Sequence, residues 1–196
     1  MVTVDLHAPQ IEGFFHIPVD ELTASRALLA AVRDGLPPDL VVVSPDLGRL
    51  RTATLYADQL GATAAVVHKR RVSGREARSL QVVGDVRDRT CLIIDDMIAT
   101  GGTIAASVEA LLSAGARPEI LVAATHGLFL ADAAKLLSHP AIRRIWVTNS
   151  LPQPPDAEPR RTVVSVVPII VAALERFRQP SAPSRPPAGG EASRHP

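Results

Sequence analysis

The chain has 196 residues, with 21 Lys+Arg against 20 Asp+Glu, so a net charge of +1 gives no global field for nucleic acid or an anionic membrane and leaves any anion site local. Hydrophobic residues make up 46% and aromatics only 3%, so a full core can form but must be built from Val, Leu, Ile and Ala. The lone Cys91 excludes a disulfide framework and a cysteine-built zinc site, no apolar run reaches the ~18–20 residues of a membrane span, and the first residues lack a signal peptide's basic and apolar regions, which together predict a cytoplasmic protein.

In chain order, residues 1–34 read as the remnant of a preceding domain and a connection, 35–178 as one domain, and the Pro/Ser/Gly-rich 179–196 as a disordered tail. Within the domain, 41–43 is a buried-strand run that stops at Ser44-Pro45-Asp46. An amphipathic helix over 51–60 is closed by Gly61, and 64–68 is a strand. Residues 91–94 form a strand that runs into Asp95-Asp96, and 104–114 a helix closed by Gly115. Strands follow at 120–124 and 145–147, with a helix over 130–137 between them, and a strand at 163–167 leads to a helix over 169–177. Near-continuously apolar strands separated by helices predict an α/β fold with a parallel sheet covered on both faces, three layers in all. In such folds ligands bind beyond the carboxyl ends of the strands, so the residues there matter most.

The most informative stretch is Asp95-Asp96-Met97-Ile98-Ala99-Thr100-Gly101-Gly102-Thr103. A buried strand delivers two carboxylates, a small glycine- and hydroxyl-rich loop follows, and a helix begins. Glycines let backbone approach a ligand closely, and the free N–H groups and positive dipole end of a helix start suit a phosphate. Carboxylates accept hydrogen bonds from vicinal diols. An acid pair one loop away from a phosphate cradle is what a sugar phosphate requires. The bland alternative is a glycine-eased helix start with Thr103 as N-cap and acids solvated at a sheet edge.

This string resembles the PRPP-binding motif of type I phosphoribosyltransferases and of ribose-phosphate diphosphokinases, the PRPP synthetases; PRPP is phosphoribosyl diphosphate. Further segments point to the latter. Val4-Asp5-Leu6-His7-Ala8-Pro9-Gln10-Ile11-Glu12-Gly13-Phe14-Phe15-His16-Ile17-Pro18-Val19-Asp20 looks like the synthetase signature, Val43-Ser44-Pro45-Asp46-Leu47-Gly48 like its pyrophosphate loop, and His68-Lys69-Arg70-Arg71 like the start of its catalytic flexible loop. The resemblance implies a type I phosphoribosyltransferase-like fold. It implies that Asp95 and Asp96 bind the ribose hydroxyls and that Ala99, Thr100, Gly101, Gly102 and Thr103 grip the 5-phosphate. Asp46, Leu47, Gly48 and Arg49 would form the diphosphate loop, and His7 with Asp46 would help hold Mg²⁺ on nucleotide phosphates. Lys69 and Arg71 would be the mobile cations that stabilise the transferring group. The implied reaction is transfer of diphosphate from Mg-ATP to ribose 5-phosphate, giving PRPP and AMP.

Three departures from the family pattern stand out. The chain begins just before the signature, so the family's first domain, with its adenine-receiving residues, is almost wholly missing; a gene fragment, a half that works with a partner chain and a homologue that binds without catalysing all remain open. Ala99 stands where many members have Asp, and Arg49 where a second Gly is common, an exchange that either helps or blocks. Besides the synthetase, a non-catalytic sugar-phosphate-binding subunit and a PRPP-consuming phosphoribosyltransferase are consistent with the motifs. A homo-oligomer, or a partner chain that completes the ATP half-site, is expected. Cys91 and Trp146 read as core. His126 either faces the site or is a satisfied structural histidine.

Overall fold

The computed structural model describes residues 1–71, 78–131, 133–153 and 159–178, of which 69–71, 78 and 79 are described for their backbone only. Its centre is a seven-stranded sheet. In chain order the strands are β3 (Val41–Ser44), β4 (Thr63–Arg71), β5 (Arg78–Val83), β6 (Cys91–Ile98), β7 (Ile120–Gly127), β8 (Ile142–Thr148) and β9 (Arg161–Val164). Across the sheet they run β5-β4-β3-β6-β7-β8-β9, with every pairing parallel except the β4–β5 hairpin. Ahead of them, β1 (Val2–Val4) and β2 (Asp20–Leu22) form a separate two-stranded parallel sheet.

Strand alternation splits the apolar side chains between two faces. Val41, Val43, Cys91, Ile93, Val122 and Ala124 point to one cluster, and Val42, Leu92, Ile94, Ala123 and Trp146 to the other. The first face is covered by helix α3 (Gly102–Ser113) through Ile104, Val108 and Leu111. The second is covered by α1 (Ser25–Arg33) and α2 (Leu50–Leu60) through Leu28, Val32, Ala53 and Tyr56. These are the three layers expected, held by aliphatic side chains that are each worth ~1.5–3 kcal/mol when fully buried. Cys91 is fully buried and burial pushes its thiol up to about 12, so it is the inert core residue that its strand predicts. Trp146 is core as well.

Some boundaries differ from the sequence reading. β6 continues to Ile98, because its ladder with β7 extends to Met97↔His126 and Ile98↔Gly127, so Asp95 and Asp96 lie within the strand. α3 starts at Gly102, and the N-cap position belongs to Gly101 at φ +77° rather than to Thr103. The helix expected over 130–137 is reduced to α4 (Ala133–Leu137), since Ala131 sits at φ +49° and cannot continue a right-handed helix. β9 ends at Val164, and Val167 already opens α5 (Val167–Arg178). Gly61 closes α2 at φ +65°, as its position predicts. The segment 179–196, read as a disordered tail, lies outside the described residues.

Candidate sugar-phosphate site

The parallel sheet ends its central strands side by side, and the loops beyond β3 and β6 meet there. His7, Asp46, Arg49, Asp95, Asp96 and the loop from Ala99 through Gly101 and Gly102 to Thr103 line one pocket of about 240 Å³. Residues from three distant parts of the chain are thus gathered as their motifs predict. The remaining diphosphate-loop residues, Leu47 and Gly48, lie in the short 3₁₀ turn beside it, with Leu47 exposed.

The loop after β6 is held from behind by the loop after β7. The Leu128 and Phe129 amides donate to the Ile98 carbonyl at 3.0 and 3.1 Å, and the Leu130 amide donates to that of Ala99 at 2.8 Å. Gly101 takes the left-handed turn that aims the chain into α3, a conformation that costs other residues ~1–2 kcal/mol. The Gly102 amide donates to Thr100 Oγ1 at 3.5 Å. The helix start therefore offers backbone N–H groups and small side chains to the pocket, the chemistry of a phosphate cradle.

The two carboxylates are electrostatically unequal. Asp95 Oδ1 accepts from the Asp96 amide at 2.9 Å. Burial, the hydrogen bond to Asp96 and the neighbouring negative charges push the Asp95 carboxyl up to about 7. Burial also acts against ionised Asp96, but hydrogen bonds from Asp95 and His7 and the charge of Arg49 outweigh it, so its carboxyl lies below the ordinary value. Below about pH 7 the pair therefore carries one anion, on Asp96, with the proton on Asp95. His7 Nδ1 is 2.5 Å from Asp96 Oδ2, and the Arg49 guanidinium donates to that same oxygen.

His7 is placed by contacts of Asp5, two residues before it in the same signature segment, that the motif does not reveal. Asp5, at φ +42°, accepts through Oδ2 from Thr125 Oγ1 at 2.6 Å and from the Ala24 amide at 3.0 Å. Its carbonyl accepts from His126 Nε2 at 3.0 Å, which leaves His126 Nδ1 to accept from Ser150 Oγ at 2.8 Å. His126 is thus the satisfied structural histidine of the two readings, and Asp5 fastens the segment that carries His7 to the end of β7. Asp46 makes a comparable anchor on the other loop: Oδ1 accepts from the Arg49 amide at 3.1 Å, and Ser44 Oγ donates to the Asp46 carbonyl at 2.5 Å.

Lys69 and Arg71 lie at the end of β4, where their backbones pair with Leu80 and Arg78 of β5. Their side chains lie outside the described residues.

Among the described residues, no group of three or more His, Cys, Asp or Glu is gathered as a metal cage. That donor set suits Mg²⁺ in one form only: a hard cation held chiefly by phosphate oxygens and water, with one or two protein ligands. The exposed Asp46 carboxylate and His7 on the same pocket wall fit that description.

A family model for the phosphoribosyl synthetase-associated domain matches residues 71–180. Ribose-phosphate pyrophosphokinase from Mycobacterium tuberculosis is 45% identical over 179 residues, covering 89% of this chain and 55% of the relative. Ribose-phosphate pyrophosphokinase A from Dictyostelium discoideum is 36% identical, covering 90% and 56%. The chain therefore spans about half the length of these relatives. Among solved structures, phosphoribosylpyrophosphate synthetase from Mycobacterium smegmatis superposes with a TM-score of 0.81 at 42% identity, covering 90% of this chain and 58% of the other. Orotate phosphoribosyltransferase from Aeropyrum pernix, at TM-score 0.52 and 22% identity over 78% of this chain and 75% of the other, shares the fold. The architecture is accordingly that of a type I phosphoribosyltransferase-like domain, and the chain belongs to the PRPP synthetase, or ribose-phosphate pyrophosphokinase, family.

Proposed function

We propose that the pocket binds ribose 5-phosphate, and that the chain takes part in transferring diphosphate from Mg-ATP to the sugar's anomeric hydroxyl, giving PRPP and AMP. One observation carries the reading: a buried acid pair and a glycine- and threonine-lined helix start share the same small pocket with Asp46, Arg49 and His7. Asp96 would accept from the ribose hydroxyls, and Asp95, when protonated below about pH 7, would donate to one of them. Thr100, Thr103 and the backbone from Ala99 to Gly102 would hold the 5-phosphate. Arg49 and the Asp46 loop would contact the diphosphate. Mg²⁺, held on phosphate oxygens beside His7 and Asp46, would neutralise the charge of the transferring group. Lys69 and Arg71 would supply further positive charge where it develops, with the anomeric oxygen bonding to the β-phosphorus as AMP leaves.

A second reading is favoured by the pocket lining, which among the described residues has no Phe, Tyr or Trp. A polar lining rich in small residues fits a sugar phosphate better than it fits a purine, which binds chiefly by stacking. Adenine would then sit on a second copy or a partner chain. Without that chain, the protein binds the sugar phosphate but does not transfer diphosphate.

³¹P NMR of the purified chain with Mg-ATP and ribose 5-phosphate separates the two. Formation of AMP together with a diphosphate on ribose supports the diphosphokinase. No turnover, with ribose 5-phosphate bound, supports the binding role. A folded chain that binds neither PRPP nor ribose 5-phosphate overturns both.

A further inference from the structure

We infer that Arg49 is a latch that closes the ribose subsite until a diphosphate group draws it away, so that diphosphate and ribose bind cooperatively. The inference rests on the sugar-phosphate reading of the pocket. Arg49 belongs to the loop that follows β3, yet its guanidinium donates to Asp96 Oδ2, the carboxylate that would receive the ribose hydroxyls. It also lies 3.2 Å from His7 Nδ1 and 3.4 Å from the His7 carbonyl oxygen, and so ties together three segments of the site.

The pair is well shielded, with Asp96 at 8% and Arg49 at 26% exposure. Removing the guanidinium takes one of three partners from a carboxylate this buried and leaves it to Asp95 and the exposed His7; the neutral hydroxyls of a sugar do not replace the lost charge. Ribose 5-phosphate alone must therefore compete with the guanidinium for Asp96. A diphosphate changes the balance, because a planar guanidinium binds phosphate oxygens bidentately and exchanges one anion for another. The geometry permits that exchange. The amide of Arg49 donates to Asp46 Oδ1, so the backbone stays with the exposed Asp46 loop while the long side chain reaches across to Asp96, and the exchange needs only that side chain to turn back. Once the guanidinium leaves, Asp96 is free to accept from the hydroxyls.

Isothermal titration with ribose 5-phosphate, with and without magnesium diphosphate, tests the latch. In the parent protein, diphosphate should tighten ribose 5-phosphate binding by about 5–50-fold, within the usual range of site-to-site coupling. In Arg49→Ala, ribose 5-phosphate alone should bind about fivefold or more tighter than in the parent, diphosphate should bind more weakly, and the coupling should vanish. Arg49→Lys, a point charge without the fork, should fall between them. A thermal melt of each variant confirms folding. If Arg49→Ala weakens both ligands alike, Arg49 is a fixed cation and the latch is overturned; coupling that survives in Arg49→Ala overturns it too. If the folded parent binds neither ligand, or if Asp95→Asn with Asp96→Asn leaves ribose 5-phosphate affinity unchanged, the site reading fails and takes the latch with it. Carboxylate-dependent binding without Arg49-dependent coupling overturns the latch alone.

Discussion

Asp95 and Asp96 are neighbours in sequence but differ in charge state, and the difference is measurable in stability. The folded state holds the Asp95 proton up to about pH 7, whereas an unfolded carboxyl releases it near 3.8. The folded state therefore binds more protons between those values. The contribution of Asp95 to stability is complete below about pH 3.8 and is lost as pH rises through about 7. Asp95→Asn keeps a donor for Asp96 and removes the buried charge. It should melt higher than the parent at pH 8, and the difference should shrink steadily toward pH 4. A melting-temperature difference independent of pH would show that Asp95 is ionised throughout. These two acids were legible in the sequence because a run of nine residues carries their chemistry. The anchoring role of Asp5 was not, because its partners Thr125 and His126 lie 120 and 121 residues away. Nor was the contact between Arg49 and Asp96, which spans 47 residues. Sequence spacing encodes local chemistry, whereas a contact between loops depends on which strands the fold places side by side.

At the scale of elements, the two glycines before α3 make a paired test of the loop. Gly101 has φ +77°, and a Cβ there would lie 3.3 Å from Leu137 Cγ. Gly101→Ala should cost ~1–2 kcal/mol from the left-handed backbone, a fall of roughly 2–8 °C in Tm for a chain of this size, and should weaken phosphate binding as the loop relaxes. Gly102 already starts the helix, and its added Cβ would meet only Thr100 Oγ1 at 3.6 Å. Gly102→Ala should therefore melt within a few degrees of the parent. Equal losses for the two variants would show that side-chain bulk rather than backbone conformation matters there. On the β4–β5 hairpin, Lys69→Ala should lower diphosphate transfer by ~10²–10³-fold while leaving ribose 5-phosphate affinity intact. A matched loss of rate and affinity, read from initial rates and titration, removes Lys69 from the transition state. The long parallel strands and α2 were readable from apolar runs and from Gly61. The elements missed were the short or polar ones. β1 and β2 have three residues each, and β5 places Leu80 and Val82 against the core with Gln81 between them at the sheet edge. α1 is marked only by Ala24, Leu28 and Val32, which recur every fourth residue and are all buried, a spacing too sparse to stand out from a connecting segment.

For the whole molecule, the apolar surface left uncovered has a direction. Ile11, Phe14, Phe15 and Ile17 are 41%, 82%, 41% and 57% exposed and follow one another in the segment between β1 and β2. Nearby, α5 presents Val171, Leu174 and Phe177, and its Arg176 is tied to Asp20 of β2 at 2.9 Å. A concentration of exposed aliphatic and aromatic side chains this close together is unusual for a monomer and suits a contact with another chain. α5 packs on the sheet through Ile169, Ile170 and the buried Ala173, so Val171, Leu174 and Phe177 are its outward side chains, and covering them would add stability without disturbing the fold. The protein should therefore self-associate at micromolar concentration in sedimentation velocity. Phe14→Asp with Ile17→Asp should shift it toward monomer while leaving Tm within a few degrees, because neither side chain is buried in the single chain. A parent protein that sediments as a monomer at every concentration would mean that this face awaits a different chain. The adenine end of ATP would then be sought on that partner rather than on a second copy.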